Sequence, residues 1–156
     1  MQEIMVLDAQ DRALVAALQE NGALTNAELA ERVNLSASQA SRRRTRLEQA
    51  GVIRGYRADV DPARMGFGVT VFIQVTLATH SGQNAKRFRD FVARTPAILE
   101  AHALTGDADY LVKAVVEDLP ALGALVNQVL LPHESVERVR SNVVLETLKQ
   151  GTKLPL

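Results

Sequence analysis

The 156-residue chain contains no cysteine. That absence excludes disulfide staples, thiolate metal sites and cysteine nucleophiles together. Histidine is scarce too, and His80, His102 and His133 are too dispersed to suggest a zinc site, so neither a metal nor a cofactor is expected. No stretch approaches the ~18 uncharged apolar residues of a membrane span. Met1 to Val15 alternates acids with apolar residues and lacks a basic start followed by an apolar core. These absences lead us to expect a soluble, cytoplasmic protein without a membrane partner. There is no net charge either, since 18 basic side chains balance 18 acidic ones, so the whole-chain balance argues neither for nor against an anionic partner. The 47% hydrophobic and 23% charged residues are those of an ordinary globular chain and exclude disordered and low-complexity classes.

The distribution of charge is more informative than its total. Residues 1–35 carry two arginines against six acids, whereas residues 36–57 carry six arginines against Glu48 alone. A local excess of this kind outlasts screening over a Debye length of roughly 8 Å and can steer a polyanion to one part of a neutral molecule.

Three short helices are expected in the first fifty residues, because apolar residues recur at helical spacing between start and stop signals. The first follows Asp8 as N-cap, presents Leu14, Val15 and Leu18, and stops at Asn21-Gly22. The second opens on Thr25-Asn26-Ala27-Glu28 and ends near Val33-Asn34; the third opens on Ser36-Ala37-Ser38-Gln39 and runs to Ala50 before Gly51. Both openings are capping boxes, in which the two side chains satisfy orphan amides reciprocally. With only Asn34-Leu35 between them, the second and third helices form a helix-turn-helix.

Residues 54–66 read as a linker with a short strand, punctuated by Gly55, Pro62 and Gly66. Beyond it, strands are expected over Phe67–Ala78, Ala97–Leu104, Tyr110–Glu117 and Val136–Leu148, and helices over Asn84–Thr95 and Leu119–Leu131. The order βαββαβ is that of a ferredoxin-like split sheet. The fold class is therefore α+β, with a helix-turn-helix domain over residues 1–53, a linker over 54–66, a ferredoxin-like domain over 67–150 and a tail over 151–156. With both helices on one face of the sheet, apolar residues on the other, among them Phe72, Leu104, Val115 and Val144, favour covering by a second copy.

On a helical wheel the third helix buries Ala40 and Leu47. Ser38, Gln39, Arg42, Thr45, Arg46 and Gln49 fall on the far side, ~140–260° away. Small hydroxyls, amides and arginines suit the major groove, where Arg reads guanine and Gln reads adenine. Arg43 and Arg44 flank the buried stripe and are expected to snorkel towards phosphates, and Arg54 is a backbone candidate just past the helix.

Several separated motifs then acquire a common meaning: Leu7-Asp8 with Asp11, Glu28-Leu29-Ala30 before Leu35-Ser36, Arg43 with Arg46-Leu47-Glu48, and Gly51-Val52-Ile53. They continue with Asp61-Pro62 and Gly66, and with Gly106-Asp107-Ala108-Asp109-Tyr110. In this order, over Leu7 to about Lys149, they resemble the leucine-responsive regulator and asparagine-regulator (Lrp/AsnC) family of bacterial and archaeal transcription factors. The resemblance implies a winged-type helix-turn-helix that binds double-stranded DNA, and a sensor domain that dimerises through its sheet and often builds tetramers or octamers. It also implies a small-molecule effector, usually an amino acid, held between subunits. Carried over to this sequence, the effector residues are Gly106, Asp107, Asp109 and Tyr110, with Leu119, Asn142 and Val144. Ala40 and Arg44 depart from the family's usual apolar residue, and Pro132-His133-Glu134-Ser135-Val136 replaces its common Pro-Gly-Val-type turn.

An enzymatic alternative comes from relatives of this fold that decarboxylate sirohaem, where histidines could serve as ligands or acids. Against it stand the separation of the histidines and the lack of a legible catalytic set. The arginine-dense helix points the same way, and no catalytic residues are expected.

Overall fold

The computed structural model describes residues 6–151 and 153–156. The first five residues of the expected N-terminal domain, and Thr152 in the tail, lie outside the described residues. The chain forms two compact units, one of residues up to Asp59 together with Lys149–Leu156, the other of Val60–Leu148.

The first unit is built on α1 (Ala9–Glu20), α2 (Asn26–Arg32) and α3 (Ala37–Gln49). Local chemistry fixes all three starts. The Asp8 carboxylate accepts from the Asp11 amide at 2.7 Å, Thr25 Oγ1 from the Glu28 amide at 3.3 Å and Ser36 Oγ from the Gln39 amide at 3.2 Å. In each case the side chain three residues on bonds back to the cap's own amide, so two orphan donors are satisfied per helix. Gly51 ends α3 with φ of 72°, a left-handed conformation that costs glycine little. The core of this unit comprises Leu14, Leu18, Leu24, Leu29, Val33 and Leu47. Ala40 is fully buried as well, which lets the α3 backbone approach its neighbours. Each such leucine contributes about 1.5–3 kcal/mol by leaving water. Lys149–Leu156 returns to this unit, where the Gln19 side-chain amide bonds both the N–H and the C=O of Leu154, and Lys153 pairs with Glu20 at 2.7 Å.

The second unit is a four-stranded antiparallel sheet in the order β2-β3-β1-β4, from β1 (Val69–Leu77), β2 (Ile98–Ala103), β3 (Tyr110–Val116) and β4 (Val136–Val143). Its helices are α4 (Gly82–Ala93) and α5 (Leu119–Ala124). Alternation decides the faces. Val71, Ile73, Val75 and Leu77 of β1, with Val112, Ala114 and Val116 of β3, pack with Phe88, Leu122, Leu125 and Leu130 from the helices. The registers Phe72↔Lys113, Phe72↔Asn142 and Gln74↔Arg140 put the intervening residues on the opposite face. That face is mixed in character. Phe72 and Val144 are half-buried, Leu104 is exposed, and Val115 is already buried within the single chain.

Several boundaries differ from the sequence expectation, among them the start of β1, at Val69 rather than Phe67, and the end of α4, at Ala93 rather than Thr95. No strand forms in residues 54–66; instead Asp61 caps a 3-10 turn over Ala63–Met65, and Gly66 closes it at φ of 91°. A proline without an N–H donor and no neighbouring strand to pair with account for this. Helix α4 begins two residues early because Ser81 caps it, its Oγ accepting from the Asn84 amide. The helix after Pro120 loosens beyond Ala124 into a π turn over Leu125–Leu130, with the Leu131 amide reaching back five residues to the Val126 carbonyl at 2.9 Å. Finally, β4 stops at Val143, the Val144 amide making the last bond to Thr70, so residues 145–148 are not strand.

Candidate functional site

Helix α3 presents Ser38, Gln39, Arg42, Thr45, Arg46 and Gln49 as exposed residues opposite buried Ala40 and Leu47, as its periodicity predicts. Among the described residues Arg42 has no hydrogen-bonding or ion-pair partner in the protein. Gln39, Arg42, Arg43 and Arg46 line an open concavity of about 310 Å³. Arg54 is exposed beyond the helix.

The remaining arginines are engaged by acidic groups that wheel geometry does not reveal. Asp11 on α1 is only 1% exposed, yet its carboxylate has two cationic partners. Arg46 Nη2 donates to both of its oxygens, at 2.7 and 2.6 Å, and Arg43 Nη1 donates to its Oδ1 at 2.7 Å. The same Arg43 nitrogen also donates to both Asp8 oxygens, at 3.0 and 2.7 Å. A buried carboxylate is costly unless paired, and here two guanidinium groups from α3 supply the countercharge. The Asp11 amide, and then Arg43, hold the Asp8 carboxyl below its usual range, while hydrogen bonds to Asp8 and Asp11 raise the Arg43 guanidinium further. Arg43 therefore does not reach outward as expected; its side chain is 27% exposed, against 52% for Arg46.

Arg44 also departs from expectation. Its Nη1 donates to the Leu24 carbonyl at 2.9 Å and its Nε to Tyr56 Oη at 3.0 Å and Glu48 at 3.2 Å, with the guanidinium 4.7 Å from the centre of the Tyr56 ring. Tyr56 lies against Gly22, where a Cβ would come within 3.1 Å of the ring. Arg44 thus ties α3 to the α1–α2 turn and to the chain beyond the helix through its Nε and Nη1, and its side chain is largely covered there. Burial, then the Glu48 hydrogen bond, push the Tyr56 hydroxyl above its ordinary pKa.

In the sheet unit the expected effector residues fall into two groups. Gly106, Asp107, Asp109 and Tyr110 form the β2–β3 connection, beside the Leu77 end of β1. Gly106 has φ of 131° and Asp107 is exposed. Asp109 accepts from the Leu77 amide at 2.7 Å and lies 3.3 Å from His80 Nδ1, so its carboxylate is already holding the connection against β1. Tyr110 is half-buried and stacks on Phe88 with ring centres 4.7 Å apart. Leu119, Asn142 and Val144 lie near the other end of β1: Val144 bonds Thr70, Asn142 pairs with Phe72, and Leu119 follows β3, whose last residue Val116 pairs with Val69. At about 3.3 Å per residue, roughly 20 Å of strand separates Thr70, the partner of Val144, from Leu77, the partner of Asp109, whereas Asn142 and Tyr110 pair with Phe72 and Val75, about 10 Å apart along β1.

The histidines do not converge. His80 lies by Asp109, His102 by Glu100 at 3.3 Å, and His133 stacks on Phe91 at 4.4 Å. Lys113 and then His102 hold the Glu100 carboxyl below its usual range.

Comparison with known proteins matches residues 7–54 to the winged helix-turn-helix DNA-binding model and residues 70–154 to the Lrp/AsnC ligand binding domain. The chain belongs to the Lrp/AsnC family. It is 37% identical over 150 residues to the leucine-responsive regulatory protein of Rhizobium meliloti (strain 1021), covering 96% of both chains. To the leucine-responsive regulatory protein of Escherichia coli (strain K12) it is 36% identical over 148 residues, 95% of this chain and 90% of that one. A transcriptional regulator of Neisseria meningitidis, crystallised as an L-Met complex, superimposes with a TM-score of 0.92 at 39% identity over 96% of this chain and 97% of the other. An AsnC family regulator of Agrobacterium tumefaciens gives a TM-score of 0.89 at 36% identity over 96% and 97% of the two chains. This Lrp/AsnC chain is thus a DNA-binding transcription regulator with a small-ligand domain, and the enzymatic alternative falls away because the family is one of regulators. Among the described residues no helix is long and apolar enough to cross a membrane.

Proposed function

We propose that this regulator reads duplex DNA in the cytoplasm as a homodimer. On α3, Ser38, Gln39, Arg42, Thr45 and Arg46 face the major groove, and Arg54 contacts the backbone. The observation that carries this reading is a capped helix with its apolar stripe buried and Arg42, exposed on its outer face, without a partner among the described residues. Two such helices on a dimer read half-sites about one duplex turn, ~34 Å, apart. Arg43 and Arg44 support the reading indirectly, by holding α3 against α1 and the α1–α2 turn.

The effector is an amino acid, a reading supported by the ligand-domain match and by the L-Met bound to the Neisseria relative. Its site combines Gly106, Asp107, Asp109 and Tyr110 of one chain with Leu119, Asn142 and Val144 of another, a reading supported by the spread of these residues along β1 within one chain. Tetramers or octamers of dimers supply such pairings. The effector acts by changing the assembly or its DNA affinity, and no cofactor or metal is needed.

Selection of a preferred duplex from a random pool, followed by titration against a scrambled one, tests the DNA reading. The Arg42→Ala, Arg46→Ala double variant is expected to lose about 2–6 kcal/mol of discrimination, two bidentate contacts' worth. Retention of the full preference would overturn the face assignment.

A further inference from the structure

We propose that Asp11, a residue of α1 that lies beneath the recognition helix, is a positioning residue for base reading: it holds Arg46 in a reading pose and takes Arg43 out of the reach of DNA. This rests on the reading of α3 given above and assigns its two flanking arginines opposite roles.

The geometry separates those roles. Each arginine engages a single nitrogen, but Arg43 Nη1 is held by two carboxylates, Asp8 and Asp11, and its side chain is 27% exposed, about half the exposure of Arg46. Arg46 gives Asp11 only Nη2, while its Nε and Nη1 have no protein acceptor among the described residues and half the side chain faces solvent. A guanidinium held from behind by a carboxylate loses less rotamer freedom when it docks, and its planar fork keeps a defined direction. Asp11 suits that task because α1 is capped at Asp8 and anchored through Leu14 and Leu18, so the carboxylate is fixed relative to α3. The arrangement also lowers indiscriminate attraction. Charges neutralised internally release no counterions from DNA, so Arg43 contributes nothing to the salt-dependent, sequence-independent term. Of the four arginines in the run 42–46, Arg42 and Arg46 are the more exposed, since Arg44 is tied through Nε and Nη1 to Leu24, Glu48 and Tyr56 and its side chain is 20% exposed.

The test measures affinity for the selected and the scrambled duplex over a salt series, using the full-length chain. Asp11→Asn is expected to lower the ratio of the two affinities about tenfold or more, the order of one bidentate contact. It should do so without weakening binding to the scrambled duplex, and should steepen the salt dependence as Arg43 and Arg46 are released. An equal loss on both duplexes would overturn the proposal, because it would make Asp11 a structural residue only. An unchanged ratio in Asp11→Asn, with Arg46→Ala discriminating poorly, would also overturn it while leaving the reading of α3 intact. If Arg46→Ala and Arg42→Ala both keep the wild-type ratio, the failure lies with that reading, and this proposal goes with it. Should Asp11→Asn lose helicity by circular dichroism, Arg43→Gln decides. An unchanged salt slope supports the proposal, and a slope shallower by about 0.9, one phosphate contact, overturns it.

Discussion

The two units of this chain complete their sites to different degrees. In the helical unit the residues proposed to face the groove all come from α3, with Arg54 just beyond it, and the groups that orient α3 come from α1 and the α1–α2 turn of the same chain. In the sheet unit the corresponding candidates are spread along a nine-residue strand, opposite Thr70, Phe72, Val75 and Leu77. A helix presents neighbours at spacings of three and four residues, whereas a strand carries its two ends apart, so the first surface is local and the second must be assembled. On the proposed reading, DNA contact is a property of one chain and effector contact a property of an assembly.

The contrast is broken most directly by ligand binding to a monomer. An amino acid that binds the assembled site should raise stability by about 2.7 kcal/mol at a hundred times its Kd. In a thermal-shift screen against the twenty amino acids, the responding compound should lose its effect at protein concentrations where sedimentation shows only single chains. A shift retained by those chains would locate the site within one copy.

A smaller effect sharpens the helical side. Arg44→Ala removes hydrogen bonds from a charged group and should cost about 1–3 kcal/mol of stability in thermal or urea unfolding. The salt slope of DNA binding should not change, since Arg44 meets no phosphate. A shallower slope would return this arginine to the interface.

The smallest effect concerns acid. The Asp8 and Glu28 carboxyls are lowered chiefly by the backbone amides they face, Asp11 and Thr25 respectively. A carboxyl with a depressed folded pKa stabilises the fold above its unfolded value and loses that contribution as pH falls through the folded one. Unfolding midpoints of the helical unit should therefore hold steady from neutrality to about pH 5 and fall below about pH 4, the carboxylate range. Asp8→Asn keeps an effective N-cap and should flatten that fall; an unaltered acid profile would show that the Asp8 charge has no such role.

What was legible in the sequence follows from the range of the interactions concerned. Helices α1 to α3 could be bounded closely because the pairs that start them, such as Thr25 with Glu28 and Ser36 with Gln39, are three residues apart. The order of strands and helices in the sheet unit was also readable, since alternation and helical spacing are local patterns. The burial of Asp11 was not, because its partners lie 32 and 35 residues away and a wheel drawn for α3 alone contains no α1. The wheel rightly placed Arg43 and Arg44 beside the buried stripe but could not tell a route to solvent from an acceptor waiting there. The strand expected near Tyr56 failed for a related reason: β-forming residues need a partner strand, and that stretch has none.

The returning tail bears on how the helical unit is closed. Since the segment after β4 ends bonded to Gln19 and Glu20, the sheet unit is in effect an insertion whose entry and exit both lead into one helical body. The last turn of α1 is thus completed by residues 133 and 135 positions further along the chain, while the first turn of the same helix grips Arg43 and Arg46.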